Sequence, residues 1–251
     1  MAIQKHLKKH AANLAIESLN RLNLPNTMLI IPDGNGRWAK KMGLSVSEGH
    51  KQGGKTMSEI LKHFLKINID VLGIWGFSED NWKRDKQETD KIMAVIKNTL
   101  DENLDFILKN DIKFFVLGKR DRLKNEYPEL LKDIESAEEK TINNKGKKLV
   151  LFIDYGERFQ LEEFAKIRNE NPGLPTYEAV SKINNGLPLI DMVLRTSGEK
   201  RMSGFGPLAT LAEFVSVDNN LPDLTDNDIV TSLKEFSGRQ RRFGGRVKTF
   251  S

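Results

Sequence analysis

Four short clusters in this chain carry groups able to bind phosphate or a cation. The first is Ile30-Ile31-Pro32-Asp33-Gly34-Asn35-Gly36-Arg37-Trp38-Ala39. An apolar run ends in an acid, followed by a Gly-Asn-Gly turn and then Arg and Trp. Glycines let backbone N–H groups approach an anion, and the turn opens a helix whose amide end favours phosphate. Arg37 offers a planar fork for phosphate oxygens, and Asp33 can hold a divalent cation that bridges a diphosphate. The same residues also read as a plain turn with Asp33 as helix cap, because Asp-Gly-Asn-Gly is common turn chemistry.

The second cluster, Gly49-His50-Lys51-Gln52-Gly53-Gly54-Lys55, is like a glycine-rich phosphate loop but lacks the Walker spacing. His50 can donate to a phosphate or cap a helix. The third, Phe77-Ser78-Glu79-Asp80-Asn81-Trp82-Lys83-Arg84, follows an apolar run and gathers hydroxyl, amide and guanidinium groups; its bland reading is a solvated loop. In the fourth, a strand Asp191–Arg195 leads into Thr196-Ser197-Gly198-Glu199-Lys200-Arg201-Met202-Ser203. Arg195 and Arg201 beside hydroxyls form a diphosphate clamp, with salt bridges to Glu199 or Asp191 as the alternative.

Positioning these groups requires a scaffold, and hydrophobic patterning supplies one. Met28–Ile31, Val71–Phe77, Phe114–Leu117, Leu149–Ile153 and Met192–Leu194 read as buried strands. Residues 51–66 place Met57, Ile60, Leu61, Phe64 and Leu65 at helical spacing, and 88–109, 128–142, 159–169 and 225–237 are further helical stretches. Strands alternating with helices predict an α/β fold: one domain, with a mainly parallel sheet covered by helices on both faces. Such sheets bind ligands at the carboxyl ends of their strands, where three of the clusters fall. Residues 6–22 predict an amphipathic helix, so 1–25 reads as an N-terminal helical segment and 26–251 as the catalytic domain. A membrane-surface role for that helix is the alternative to packing on the core.

Composition narrows the function classes. The 251 residues hold 40 Lys+Arg against 35 Asp+Glu, a net charge of +5 that suits anionic ligands but is too small and dispersed to indicate nucleic acid. With no Cys, disulfides and thiolate metal sites are excluded. No apolar run is long enough to span a bilayer, and no signal-peptide core is present, so a cytoplasmic protein with at most peripheral membrane contact is expected.

Taken together the clusters resemble the cis-prenyltransferase family typified by undecaprenyl diphosphate synthase. The resemblance runs from about Met28 to Gly245 and keeps several motifs in order: Asp33–Ala39; Gly49-His50 with Gly53; Phe77-Ser78 with Asn81-Trp82 and Arg84; Arg195-Thr196 with Gly198-Glu199, Arg201 and Ser203; Ala212-Glu213-Phe214; and Arg241-Arg242-Phe243-Gly244-Gly245. It implies a homodimer, reached through the last segment, with a hydrophobic tunnel. It implies Mg²⁺ on Asp33 and Glu213. The allylic diphosphate would lie on Gly34, Asn35, Gly36, Arg37, Trp38 and His50, and isopentenyl diphosphate on Arg195, Arg201 and Ser203. Asp33, Ser78 and Asn81 would act at the reacting centre with Arg84 beside them. The expected reaction condenses isopentenyl diphosphate with an allylic diphosphate and releases diphosphate.

Several positions depart from the family pattern. Thr27 and Val46 stand where His and Arg are usual, and Pro32 where Met is. Met202-Ser203-Gly204-Phe205-Gly206-Pro207-Leu208 and Pro32-Asp33-Gly34 are similar to the branch that makes lavandulyl-type diphosphates by irregular coupling, whereas Asn35 and Asn81-Trp82-Lys83-Arg84 are similar to chain-elongating enzymes. Irregular coupling and a non-catalytic partner subunit are therefore the alternatives. Such subunits usually lose the Asp and Arg residues retained here. Phe152 or Ile153, in place of small residues, is expected to face the tunnel and keep the product short, because alternation sends one of the two to each face.

Overall fold

The computed structural model describes residues 18–242, without the side chain of Tyr177. Most of the expected helix over 6–22, and residues 243–245 of the last motif, lie outside the described residues.

Six strands form one sheet: β1 (Thr27–Ile31), β2 (Val71–Ser78), β3 (Lys113–Leu117), β4 (Lys148–Tyr155), β5 (Met192–Arg195) and β6 (Glu213–Ser216). Their order is β3-β4-β2-β1-β5-β6 and every neighbouring pair is parallel. The connecting helices are α1 (Asn35–Lys41), α2 (Val46–Phe64), α3 (Lys86–Lys109), α4 (Arg120–Glu126), α5 (Pro128–Thr141), α6 (Glu157–Glu170), α7 (Thr176–Ile183) and α8 (Asp226–Ser237). The expected strands and long helices are all present. β6, α4 and α7 carry too little periodic signal in the sequence, being four to eight residues long.

The sheet is covered on both faces, as parallel strands with nearly continuous apolar sequence require. One face packs Met28, Ile30, Leu72, Phe114 and Leu149 against Met57, Leu61 and Phe64 of α2 and Met93, Leu100 and Ile107 of α3. The other gathers Leu29, Ile31, Trp75, Val150, Phe152, Tyr155 and Phe205. Local sequence fixes where helices begin. Ser45 and Glu48 form a reciprocal cap at the start of α2, and Thr225 and Asp228 do the same for α8. Consequently the second cluster is not a phosphate loop: residues 49–55 lie inside α2, and His50 is carried on its second turn. No helix among the described residues is long and apolar enough to cross a membrane.

The expected tunnel wall is corrected. Strand alternation turns Phe152 to the face opposite α2 and α3, where its ring meets Phe205 edge-on at 5.0 Å and Tyr155 at 4.6 Å. Phe152 and Phe205 thus fill one packing site together. Ile153 is buried on the α2/α3 face without lining the cavity there; Leu149 and Leu151 are the β4 residues that do.

Candidate active site

The chain leaves β1 for β2 on one side and returns to the other side of β1 only with β5, so the crevice at the carboxyl ends of β1 and β5 is where such a sheet binds ligand. Asp33 follows β1, and Arg195 ends β5 opposite Ile31. Thr196 ties the two ends together: its hydroxyl accepts from the Asp33 N–H at 2.7 Å and donates to the Asp33 carbonyl at 2.7 Å. Gly34 takes φ +95° at this turn, and a Cβ there would collide with Asn220 and Ser197, so the position requires glycine.

The Asp33 carboxylate is the centre of a charged cluster. Oδ1 accepts from the Gly34 N–H at 2.7 Å and from Arg37 Nη2 at 3.0 Å, and Oδ2 accepts from Arg195 Nη2 at 2.9 Å. Burial pushes its pKa up, but the hydrogen bonds and charges of Arg195 and Arg37 outweigh that and hold it below the usual carboxylate range. Arg195 is 5% exposed and also donates to Ser203 Oγ at 2.8 Å and to the Arg201 carbonyl. Glu199 pairs with both Arg37, at 2.8 Å, and Arg201. The salt-bridge alternative thus holds for Arg201 with Glu199, while Asp191 pairs with Arg241 instead. Arg37 and Arg201 are more than half exposed. Such surface pairs are weak and exchange readily for a stronger anion.

From β2 comes the third cluster. Ser78 Oγ accepts from the Asn81 N–H at 3.2 Å, and Asn81 Oδ1 accepts from the Ser78 N–H at 3.0 Å. This reciprocal cap opens a short 3₁₀ turn that aims Ser78, Asn81 and Arg84 at the same cavity. Trp82 anchors the turn by packing edge-on against Phe77 at 5.1 Å. Across from it, His50 Nδ1 lies 3.3 Å from Asn35 Nδ2. With the amide nitrogen of Asn35 turned to the ring, Nδ1 is the accepting nitrogen and Nε2 carries the proton. Burial, then the charge of Arg84, lower the His50 pKa, keeping the ring neutral. Gly53 lets Asn35 sit directly against the α2 backbone; a Cβ would overlap its amide oxygen.

The structure brings together Asp33, Asn35, Arg37, His50, Ser78, Asn81, Arg84, Arg195, Arg201 and Ser203 around a polar cavity of about 400 Å³, with Gly34 and Gly36 on an adjoining one of about 280 Å³. Two expected residues are elsewhere. Each helical step rotates a side chain by about 100°, so Trp38 turns away from Arg37 and its indole N–H donates to Asp223 at 2.8 Å. Glu213 starts β6 opposite Met192, at the amino ends of the strands, and pairs with Arg239 at 3.0 Å. It is roughly 15 Å along the strand direction from Asp33 and cannot share an ion with it in one chain. A wider depression of about 840 Å³ at that same amino end, around Asn26, Asp70, Lys147 and Asp191, gathers none of the expected site residues.

The polar cavity opens into an apolar one of about 130 Å³ between α2, α3 and the sheet, and the two share Pro32, Asn35, His50, Gly76 and Ile92. Residues whose place here was not foreseen include Thr196 as the tie, Glu199 as the bridge, and Gly76 and Ile92 at the junction. Gly76 and Ile92 carry no chemical signal in sequence. Thr196 and Glu199 lie between Arg195 and Arg201, whose guanidinium groups carry the stronger phosphate signal.

Asp33 fits a magnesium ion. No cluster of three or more His, Asp or Glu side chains suited to a metal exists among the described residues. Magnesium, however, needs only one or two carboxylates when substrate phosphates complete its shell. An ionised carboxylate offers about four lone-pair positions. Three are used on Asp33, a lining residue of the cavity, leaving one on Oδ2. Asp80, the other carboxylate on the cavity wall, is held by Lys83 and Arg158.

Comparison with known proteins identifies the family. Residues 31–244 match the prenyltransferase family described as "Putative undecaprenyl diphosphate synthase". An isoprenyl transferase of Fusobacterium nucleatum is 37% identical over 228 residues, covering 89% of this chain and 97% of that protein. One of Helicobacter hepaticus is 35% identical, covering 88% and 97%. Among solved structures, lavandulyl diphosphate synthase from Lavandula x intermedia, in complex with dimethylallyl diphosphate, is similar with a TM-score of 0.80 at 29% identity, covering 88% of this chain and 98% of that one. A probable undecaprenyl diphosphate synthase from Campylobacter jejuni is similar at 0.74 and 28%, covering 89% and 100%.

Proposed function

Because this chain belongs to the undecaprenyl diphosphate synthase family and is a prenyltransferase of cis-prenyl chain elongation, we propose that its chemistry takes place between Asp33 and Arg195. The observation that carries the reading is the junction of two cavities: a cation-lined one that suits diphosphate and an apolar one that suits an isoprenoid tail. In this reading Arg37, Asn35, neutral His50 and the amides after Asp33 hold the allylic diphosphate, with Nε2–H of His50 as a donor. Arg195, Arg201 and Ser203 hold isopentenyl diphosphate, and Arg37 and Arg201 leave Glu199 to do so. The allylic C–O bond breaks with its electron pair going to the diphosphate. The double bond of isopentenyl diphosphate supplies the new C–C bond, and a proton is released. Asp33 would hold magnesium, which when bound would stabilise the charge that collects on the leaving group. Ser78 and Asn81, locked by their reciprocal cap, fix the reacting ends, and the apolar cavity keeps water from the allylic cation.

We extend the reading to a cytoplasmic homodimer. Dimerisation is supported by the resemblance of the segment from Arg241 to Gly245 to the one that reaches a partner in the family. Sedimentation of the pure protein and cell fractionation test these two points.

The enzymatic test is incubation with Mg²⁺, isopentenyl diphosphate and, separately, dimethylallyl, geranyl or farnesyl diphosphate, with products identified by mass spectrometry and NMR. Linear products longer by isoprene units are expected. A branched skeleton would replace this reading with irregular coupling. Arg195→Ala and Arg201→Ala are each expected to weaken isopentenyl diphosphate binding about ten- to a hundredfold in calorimetry, the worth of one charge-assisted contact. Unchanged binding would remove those residues from the site.

A further inference from the structure

The apolar cavity below the diphosphate site is interrupted by polar groups. Thr99 and Asn103 of α3 line it together with Ser58 of α2. Asn103 is 6% exposed; its Nδ2 donates to Ser58 Oγ at 2.8 Å and to the Thr99 carbonyl at 2.7 Å. Ser58 in turn donates to the Gly54 carbonyl at 3.2 Å. The amide nitrogen of Asn103 is therefore spent and its orientation fixed. Among the described residues its Oδ1 meets no donor and the Thr99 hydroxyl no hydrogen-bond partner, and neither atom is sealed away from open space. A buried, locked acceptor facing an otherwise apolar wall has to give up any water when hydrocarbon slides past it, and an isoprenoid offers nothing in return.

Depth can be read from the helix. Ile92 lies at the junction with the diphosphate cavity, and Asn103 is about three turns further along α3, roughly 16 Å away. An isoprene unit adds four chain bonds, and by comparison with the three bonds of a residue it extends roughly 4.5 Å. The Thr99–Asn103 level is thus reached by a chain of about three to four units. Below it Ile107, Phe114 and Leu149 close the cavity.

We propose that Asn103, held by Ser58 and supported by Thr99, is a specificity-determining belt that ends chain growth at about three to four isoprene units. The inference rests on the prenyl-elongation reading and assigns the product class to a position that the diphosphate site does not touch. It acts on the partition between one further addition and release, so it changes product length rather than the chemistry of a single step.

The test compares Asn103→Leu, which removes polarity and keeps bulk, with Asn103→Ala, which removes both, and Thr99→Val, which removes only a hydroxyl. Product length is read as a ratio among chains, independent of total turnover. The parent is expected to stop at three to four units. Asn103→Leu is expected to raise the fraction of longer chains about tenfold, the loss expected of one unsatisfied buried polar group, with Thr99→Val in the same direction. A parent that makes long chains, or lengthening by Ala without Leu, overturns the proposal. Thr99→Val keeps the test decisive if Asn103→Leu fails to fold. In parallel, calorimetry with unreactive prenyl thiodiphosphates of two to six units reads the belt without turnover. Affinity should stop rising at four units in the parent and continue rising in the variants; an unbroken rise in the parent refutes the belt. Absence of any isopentenyl incorporation would instead count against the elongation reading, while the binding ladder still judges the belt.

Discussion

Asp33 makes two separable contributions, one to folding and one to turnover, and paired substitutions distinguish them. Among the described residues it is the one carboxylate partner of Arg195, whose guanidinium is 5% exposed. Asp33→Ala leaves that cation against the Ser203 hydroxyl and the Arg201 carbonyl alone. Breaking a fully buried pair costs about 3–5 kcal/mol, and because the Asp33 side chain is 28% exposed, water screens part of this. A loss of about 2–3 kcal/mol is expected, lowering the melting temperature by about 5–10 °C for a domain of this size. Asp33→Asn keeps a neutral acceptor and should lose about half as much. Both variants lack the anionic ligand for leaving-group charge, so both should lose at least about a thousandfold in kcat/KM. The sign with pH follows from the lowered pKa of Asp33. Its stabilisation is present above the unfolded carboxylate pKa, about 3.9, and is lost as pH falls through the lower folded value. The stability gap between parent and Asp33→Ala, measured by urea unfolding, should therefore be full at pH 7 and shrink below about pH 4. A folded Asp33→Ala enzyme with near-parent turnover would refute the site. Equal stability of parent, Asn and Ala forms would refute the ion-pair account.

Val46 is 44% exposed on the cavity wall beside Arg37, His50 and Arg84, so Val46→Arg should tighten inorganic diphosphate binding about tenfold by adding one charge-assisted contact; calorimetry that finds no gain argues against an anion site there. Phe152→Leu should cost about 1–2 kcal/mol in urea unfolding through loss of its ring contacts with Phe205 and Tyr155, yet leave product length unchanged, because it packs on the face away from the cavity. His50 is kept neutral by burial and by Arg84, so the unfolded chain binds its proton first and stability should fall as pH drops below about 6.5 towards the lower folded pKa; His50→Gln should lack that component, and identical pH profiles for the two proteins would discount it.

Local sequence carries five of the six strands, the long helices and the types of group at the site. Apolar runs of strand length alternating with helical periodicity required a parallel α/β sheet, because such strands must be buried on both faces. The acid, guanidinium, amide and hydroxyl groups of three clusters were legible because each directly follows a strand, where the fold leaves side chains free to meet a ligand. Tertiary structure decided what those groups face. Residues 49–55 look like a loop by composition but are helix, because the Ser45–Glu48 cap starts α2 before them. Arg37 and Trp38 are adjacent in sequence, yet a single helical step sends one to the cavity and the other to Asp223. Glu213 belongs to a motif shared with site residues, but strand direction carries it to the opposite end of the sheet from Asp33. Phe152 and Ile153 could each have faced the cavity until the strand register was known; alternation fixes that two neighbours point apart, and only the packed sheet fixes which way. Thr99 and Asn103 are one helical turn apart, but no local pattern joins them to Ser58, because that contact exists only once α2 and α3 pack side by side.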